Sequence, residues 1–325
     1  MKNSISELSP EKRALLAQLL KEEGVNVVPA QMIPHRSEEI PVPLSYAQQR
    51  LWFLHQFQQD DGGIYSVPSV SWLRGKLHVH FLEQAITEIV RRHAALRTSF
   101  SEEQGRPVQC VHPPEPLKIQ IIDLEGRPEE NHGEALTRLI RHHVRASFDI
   151  SRAPLLRAVL LRLQPEEHVL IVVMHHIASD DWSLSILNHE LGRLYDAYCQ
   201  GKSSPLAELP IQYADYAVWQ REWLQGDILK RQLEYWQKQL DGTKPLDLPA
   251  DYARPAVLSQ RGASREVEIS ADLAGKLRKL SQSAGVTMYA TLLAALQALL
   301  HRYTGQEDIA IGSPIAGRVR TEQKA

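Results

Sequence analysis

His175, His176 and Asp180 place two imidazoles and a carboxylate within one short stretch of the 325-residue chain. An imidazole, with a pKa of about 6.5 in water, accepts a proton from an amine or hydroxyl near neutral pH. A carboxylate beside it can orient the site, by bonding a histidine or by pairing with a buried arginine. Successive side chains of a strand point to opposite faces, so His175 and His176 are not expected to share one ligand. This disfavours a metal site, which also needs a third ligand at a recognisable spacing. One ring is expected to face the core and the other a cleft. On spacing alone two readings stay open: a proton acceptor at a turn, or a pair of satisfied core histidines that end a strand. His142 and His143 are adjacent too, but they sit in a helical pattern beside Arg141 and Arg145 and read as a solvated face.

The flanking residues predict what positions this cluster. Residues 169–174 form an unbroken apolar run rich in β-branched side chains, as in a strand buried on both faces. From Trp182 onward Leu184, Leu187, Leu191, Leu194 and Tyr198 fall three or four apart, which is one face of an amphipathic helix. Ser179 or Asp180 is its expected N-cap. The unit is therefore strand, tight loop, helix, a common place for chemistry.

Upstream, Ser9 and Pro10 begin a short helical pattern, and residues 24–43, with Pro29, Pro34, Pro41 and Pro43, read as linker. Residues 45–57 form a capped helix with Ala47, Leu51 and Leu54 predicted inward. Strands are expected at 67–73, 95–100, 107–111, 117–122 and 155–163, and helices at 81–93 and 134–146. A hairpin at 164–167 joins the 155–163 strand to the histidine strand. The Ser/Pro/Gly-rich stretch 201–210 is the expected break between lobes. Beyond it come one long Trp/Tyr-rich helix over 213–240, a strand at 266–269, helices at 273–283 and 287–303, and a last strand at 308–312. Mixed strands and helices in both halves predict an α/β fold, with residues 1–43 as N-terminal helix and linker, 44–205 as a first lobe and 206–325 as a partial second lobe.

Composition excludes several classes. The 37 basic and 39 acidic side chains nearly balance, so no nucleic-acid or membrane footprint is expected. Two cysteines, Cys110 and Cys199, far apart in sequence, predict a reducing, cytoplasmic setting. The apolar segment 288–300 is broken by Thr291 and Gln297 and is too short to span a bilayer.

The stretch HHIASDDWS, residues 175–183, resembles the HHxxxDG signature of condensation domains of nonribosomal peptide synthetases. Four further blocks agree in identity and order: SYAQQRLWFL at 45–54, RHAALRTSF at 92–100, YADYAVWQ at 213–220 and IGSPIAGR at 311–318. Asp181 departs from the pattern, where the family usually has glycine. The family's last two blocks are absent before Ala325, so a C-terminally incomplete domain is expected.

The resemblance implies a two-lobed fold like chloramphenicol acetyltransferase, with mixed sheets and helices. It also implies that upstream and downstream peptidyl carrier proteins, working beside an adenylation domain, deliver phosphopantetheine-tethered substrates. The acceptor α-amine then attacks the donor thioester to form a peptide bond. Carried over residue by residue, His176 is the catalytic histidine, His175 is structural, and Asp180 pairs with Arg97 to shape the loop. Arg92 and Trp219 support the fold. No directly bound cofactor or metal is implied. The alternatives are a non-catalytic remnant that docks carrier proteins, an epimerization-type domain, or another HHxxxD acyltransferase. A heterocyclization domain would replace His175 with aspartate.

Overall fold

A nine-residue strand, β7 (Glu167–His175), is the axis of the structure; from His168 to His175 every residue is buried. The computed structural model describes residues 33–36, 42–57, 63–125, 129–253, 265–315 and 317–318. The expected helix beginning at Ser9 lies outside these residues.

β7 is central in a four-stranded sheet of order β2 (Ser66–Arg74), β7, β6 (Leu156–Gln164), β5 (Gln120–Asp123). It pairs antiparallel with both neighbours, while β5 and β6 run parallel, so the sheet is mixed. The β6–β7 hairpin turns at Pro165 and Glu166, as the sequence predicts. Alternation along β7 divides the core into two layers. Val169, Ile171 and Val173 pack with Leu51 of α1 (Tyr46–Phe57) and Leu136 of α3 (Glu129–Arg145). Leu170, Val172 and Met174 pack on the other face with Leu82 and Ile86 of α2 (Val79–Arg92) and Leu187 and Leu194 of α4 (Asp181–Cys199). Helices cover both faces, which is why the run is apolar at every position and not at alternate ones.

A second sheet of three strands, order β1 (Val42–Pro43), β4 (Arg106–Val111), β3 (Thr98–Glu103), is antiparallel. The pairing of β1 begins inside the stretch expected to be linker, and Ile33 is buried there too. The strand expected at 95–100 starts as a 3-10 turn, Ala94–Arg97, and becomes β3 only at Thr98. Gln212 explains the turn: its side chain accepts from the Ala94 amide and donates to the Arg92 carbonyl. In α1 the inward polar residue is Gln48, while Ala47 faces out. Gln48 accepts from the Ser45 amide through its side chain and donates its own amide to Ser45 Oγ, a reciprocal cap.

The expected single helix over 213–240 is two, α5 (Tyr213–Trp223) and α6 (Gly226–Leu240). Gly226 adopts φ +53°, a left-handed angle that glycine tolerates and that interrupts the run. The compact units also divide here. One extends through Trp223 and takes in residues 317–318, and the other is Leu224–Ile315. α5 belongs to the first unit because Ala214, Asp215, Ala217 and Trp219 are buried, and Arg221 donates to the Leu44 carbonyl. The boundary therefore falls after the aromatic helix, beyond the Ser/Pro/Gly stretch. The second unit contains α6, α7 (Ala271–Ser283) and α8 (Met288–Thr304). Residues 266–269 and 308–312, expected as strands, have strand-like composition but form no ladder among the described residues. A strand exists only when a neighbour takes its hydrogen bonds.

Candidate functional site

The site forms where β7 ends and α4 begins, in the first unit. His175 continues the odd-numbered series of the strand, so its ring enters the α1/α3 layer and only 1% of the residue is exposed. Phe148 and Tyr65 contact the ring at centroid distances of 5.9 and 6.1 Å. Burial above all, with the Arg157 cation adding to it, pushes its pKa down to about 4. Its Nδ1 accepts the Ile177 amide at 3.1 Å, so the proton of the neutral ring resides on Nε2.

His176 lies beyond the last strand pair and is exposed. Its amide donates to the Tyr65 carbonyl at 2.7 Å, which anchors the turn. Its Nδ1 lies 2.7 Å from the Ser179 carbonyl oxygen. A carbonyl only accepts, so Nδ1 carries the proton and Nε2 presents a lone pair. Ser179 Oγ in turn donates to the His175 carbonyl at 3.0 Å, closing the loop on itself.

Asp180 is the N-cap of α4. Its Oδ1 accepts from the Ser183 amide at 2.8 Å, while its own amide donates to Ser183 Oγ at 3.2 Å. Arg318 Nη2 donates to the same Oδ1 and to Ser183 Oγ, each at 3.1 Å. Burial opposes ionisation of Asp180, but the Ser183 hydrogen bonds and the Arg318 guanidinium outweigh it and hold the carboxyl below the usual range. Asp181 is exposed in the first turn, where a negative charge is favourable.

The expected pairing of Asp180 with Arg97 is not what the structure forms; Arg318 takes that place. Arg97 sits on the 3-10 turn and donates to the His112 carbonyl, and the His112 amide returns a bond to the Arg97 carbonyl at 3.0 Å. Its guanidinium is thus engaged just past the end of β4 and not at the histidine loop. Burial, with Arg91 nearby, pushes its pKa down. Arg92, buried, pairs with Glu190 of α4 at 3.1 Å, and His93 approaches the same carboxylate at 2.8 Å. Trp219 is buried and stacks on Trp223.

Three supporting residues go unassigned by the sequence reading. Arg318 ends the IGSPIAGR block, but it lies 138 positions from Asp180. Ser183, three residues after Asp180, is the available signal for a capping box. Tyr213 opens another block; its hydroxyl shares a hydrogen bond with Ser45 Oγ at 3.0 Å, and loss of hydration around that hydroxyl raises its pKa. Residues from the first, third, fourth and fifth blocks thus converge within one unit.

The mixed α/β layers and this site define the class: an acyltransferase-type fold like chloramphenicol acetyltransferase, with a histidine on the loop after a central strand. Its structural neighbours include the X-domain of teicoplanin biosynthesis, solved in complex with OxyB, with a TM-score of 0.74 and 30% identity over 85% of this chain and 60% of that one. The first condensation domain of the CDA synthetase shares the fold, with a TM-score of 0.72 and 22% identity over 88% of this chain and 68% of that one. The condensation-domain family model matches residues 38–324, and the chain belongs to that family. A curated relative, a linear gramicidin synthase of Brevibacillus parabrevis, is 44% identical over 310 residues. That match covers 95% of this chain and 6% of the relative, so the chain spans a small part of such a synthetase. Condensation domains of nonribosomal peptide synthetases form amide bonds.

Proposed function

We propose that this chain forms a peptide bond between a carrier-tethered donor thioester and the α-amine of a carrier-tethered aminoacyl acceptor. The observation that carries this reading is the exposed His176 ring, fixed through Nδ1 so that Nε2 is the free acceptor. The acceptor nitrogen attacks the donor carbonyl carbon, the C–S bond breaks, and the pantetheine thiol leaves. His176 Nε2 accepts the proton that the amine sheds and returns it to the departing sulfur, which leaves as the thiol and restores the neutral imidazole. His175 and Asp180 hold the loop and do not touch the reacting atoms. Substrates arrive on phosphopantetheine arms of upstream and downstream peptidyl carrier proteins, with an adenylation domain as a neighbour, in the cytoplasm. No cofactor or metal is assigned to the site.

A second reading is a docking module without turnover. The X-domain, a relative by fold and by 30% identity, was solved bound to a partner protein, OxyB. Single-turnover assays with loaded donor and acceptor carriers separate the two. Product from the parent chain and none from His176→Ala supports catalysis. The substitution also removes the Nδ1 bond to the Ser179 carbonyl, so it should cost about 0.5–1.5 kcal/mol and leave the chain folded. Carrier binding without product from the parent chain favours docking, and undiminished product from the variant removes His176 from the mechanism.

A further inference from the structure

Three polar atoms near the histidine loop are buried and find no hydrogen-bond partner among the described residues: His175 Nε2, His55 Nδ1 and Ser66 Oγ. They belong to three different elements, β7, the last turn of α1, and β2, yet the fold brings them together. Ser66 and His175 are directly opposite in the β2–β7 ladder. Directly opposed side chains share one face of a sheet, with Cβ atoms about 5 Å apart. His55 approaches from the helix above that face. Its ring centroid is 6.2 Å from that of His175, with the planes at 90°, and the two nitrogens form no direct bond.

The chemistry of the three atoms is complementary. His175 Nδ1 is occupied as an acceptor, so Nε2–H must donate. An uncharged His55 with an unprotonated Nδ1 accepts, and a serine hydroxyl does either. A buried donor left unmet loses its hydration without recompense, and native structures rarely leave such atoms without a partner. A single water has two donors and two acceptors and fits a small polar site with two to four partners.

We propose that His55, Ser66 and His175 bind one internal water directly behind the loop that carries His176. His175 Nε2–H donates to it, the water donates to His55 Nδ1, and its remaining capacity meets Ser66 Oγ. The site secures the His175 ring from its far side, as the Ile177 amide does from the near side. It makes His55 and Ser66 part of the support of the loop, independently of which reaction the loop serves.

The test uses the full chain. A high-resolution crystal structure should show one solvent peak within hydrogen-bond distance of all three atoms. In solution the His175 Hε2 proton should resonate as a slowly exchanging signal with a cross-peak to water. In thermal melts His55→Phe and Ser66→Ala should each lower Tm, and the double variant should lower it by less than the two shifts combined, because both remove partners of one water. His55→Asn, which keeps an acceptor, should recover part of the loss. A direct Ser66–His175 bond, or a protein group in the solvent position, would overturn the proposal, as would strictly additive Tm shifts.

Discussion

His175 differs from His176 in environment more than in chemistry, and the difference has a measurable pH signature. Folded, its ring titrates at about 4 because burial disfavours the cation. Unfolded, it titrates at about 6.5. Between these values the unfolded chain binds more protons, so the neutral ring's contribution to stability is complete above about pH 6.5 and drains away as pH falls through 4. The full loss is on the order of 3 kcal/mol. Urea unfolding at pH 7 and pH 4 should therefore show a smaller acid loss for His175→Gln than for the parent chain. Equal losses would remove His175 from the acid limb. Asp180 offers a second test at this scale. A double-mutant cycle of Asp180→Ala with Arg318→Ala should give a coupling of up to about 1 kcal/mol, since the pair is only partly buried. The same cycle with Arg97→Ala should be additive, because Arg97 is engaged at His112.

At the scale of elements, α4 is the one that sets the loop. Its cap joins Asp180, Ser183 and Arg318, so the helix start and the histidine turn are one bonded unit. Asp181 occupies its first turn, where the condensation-domain resemblance leads one to expect glycine. Gln104 is the sole non-glycine residue with a positive φ among those described, so Asp181 is not strained by its backbone. What remains of a glycine's use is space for a pantetheine arm close to the main chain. Asp181→Gly should cost about 0.3–1 kcal/mol by removing a favourable charge from the helix start. It should at the same time raise the single-turnover rate of peptide formation. A glycine variant that is no faster at any pH would show that Asp181 is simply a tolerated cap residue.

At the scale of the whole molecule, the two units differ in how they bury apolar surface. The first has two packed layers around β7. In the second, α6 and α8 contain no buried residue and α7 only Ser281. Leu292, Leu296, Leu299 and Tyr303 form an exposed stripe at helical spacing along α8. Contiguous apolar patches of this kind drive association. Sedimentation velocity on the 325-residue chain should show an s-value that rises with concentration, and Leu296→Glu should reduce that rise. A single species of constant s-value would show that the stripe is inert.

Local order alone determined much of this protein. The apolar run ending in His175, the leucine spacing of α4 and the Asp180 cap are all written within a few residues, because a helix or a doubly covered strand is specified by near neighbours. The five ordered blocks were enough to indicate the condensation-domain family. Only the tertiary structure decided which arginine meets Asp180, since that contact joins positions 138 apart and no periodicity carries such information. It alone placed Val42–Pro43 in a sheet and, among the described residues, gave 266–269 and 308–312 no ladder, because a strand depends on a partner that composition does not name. It also separated the two histidines: the pleat sends His175 into the layer beneath α1, and the end of the ladder leaves His176 in the open.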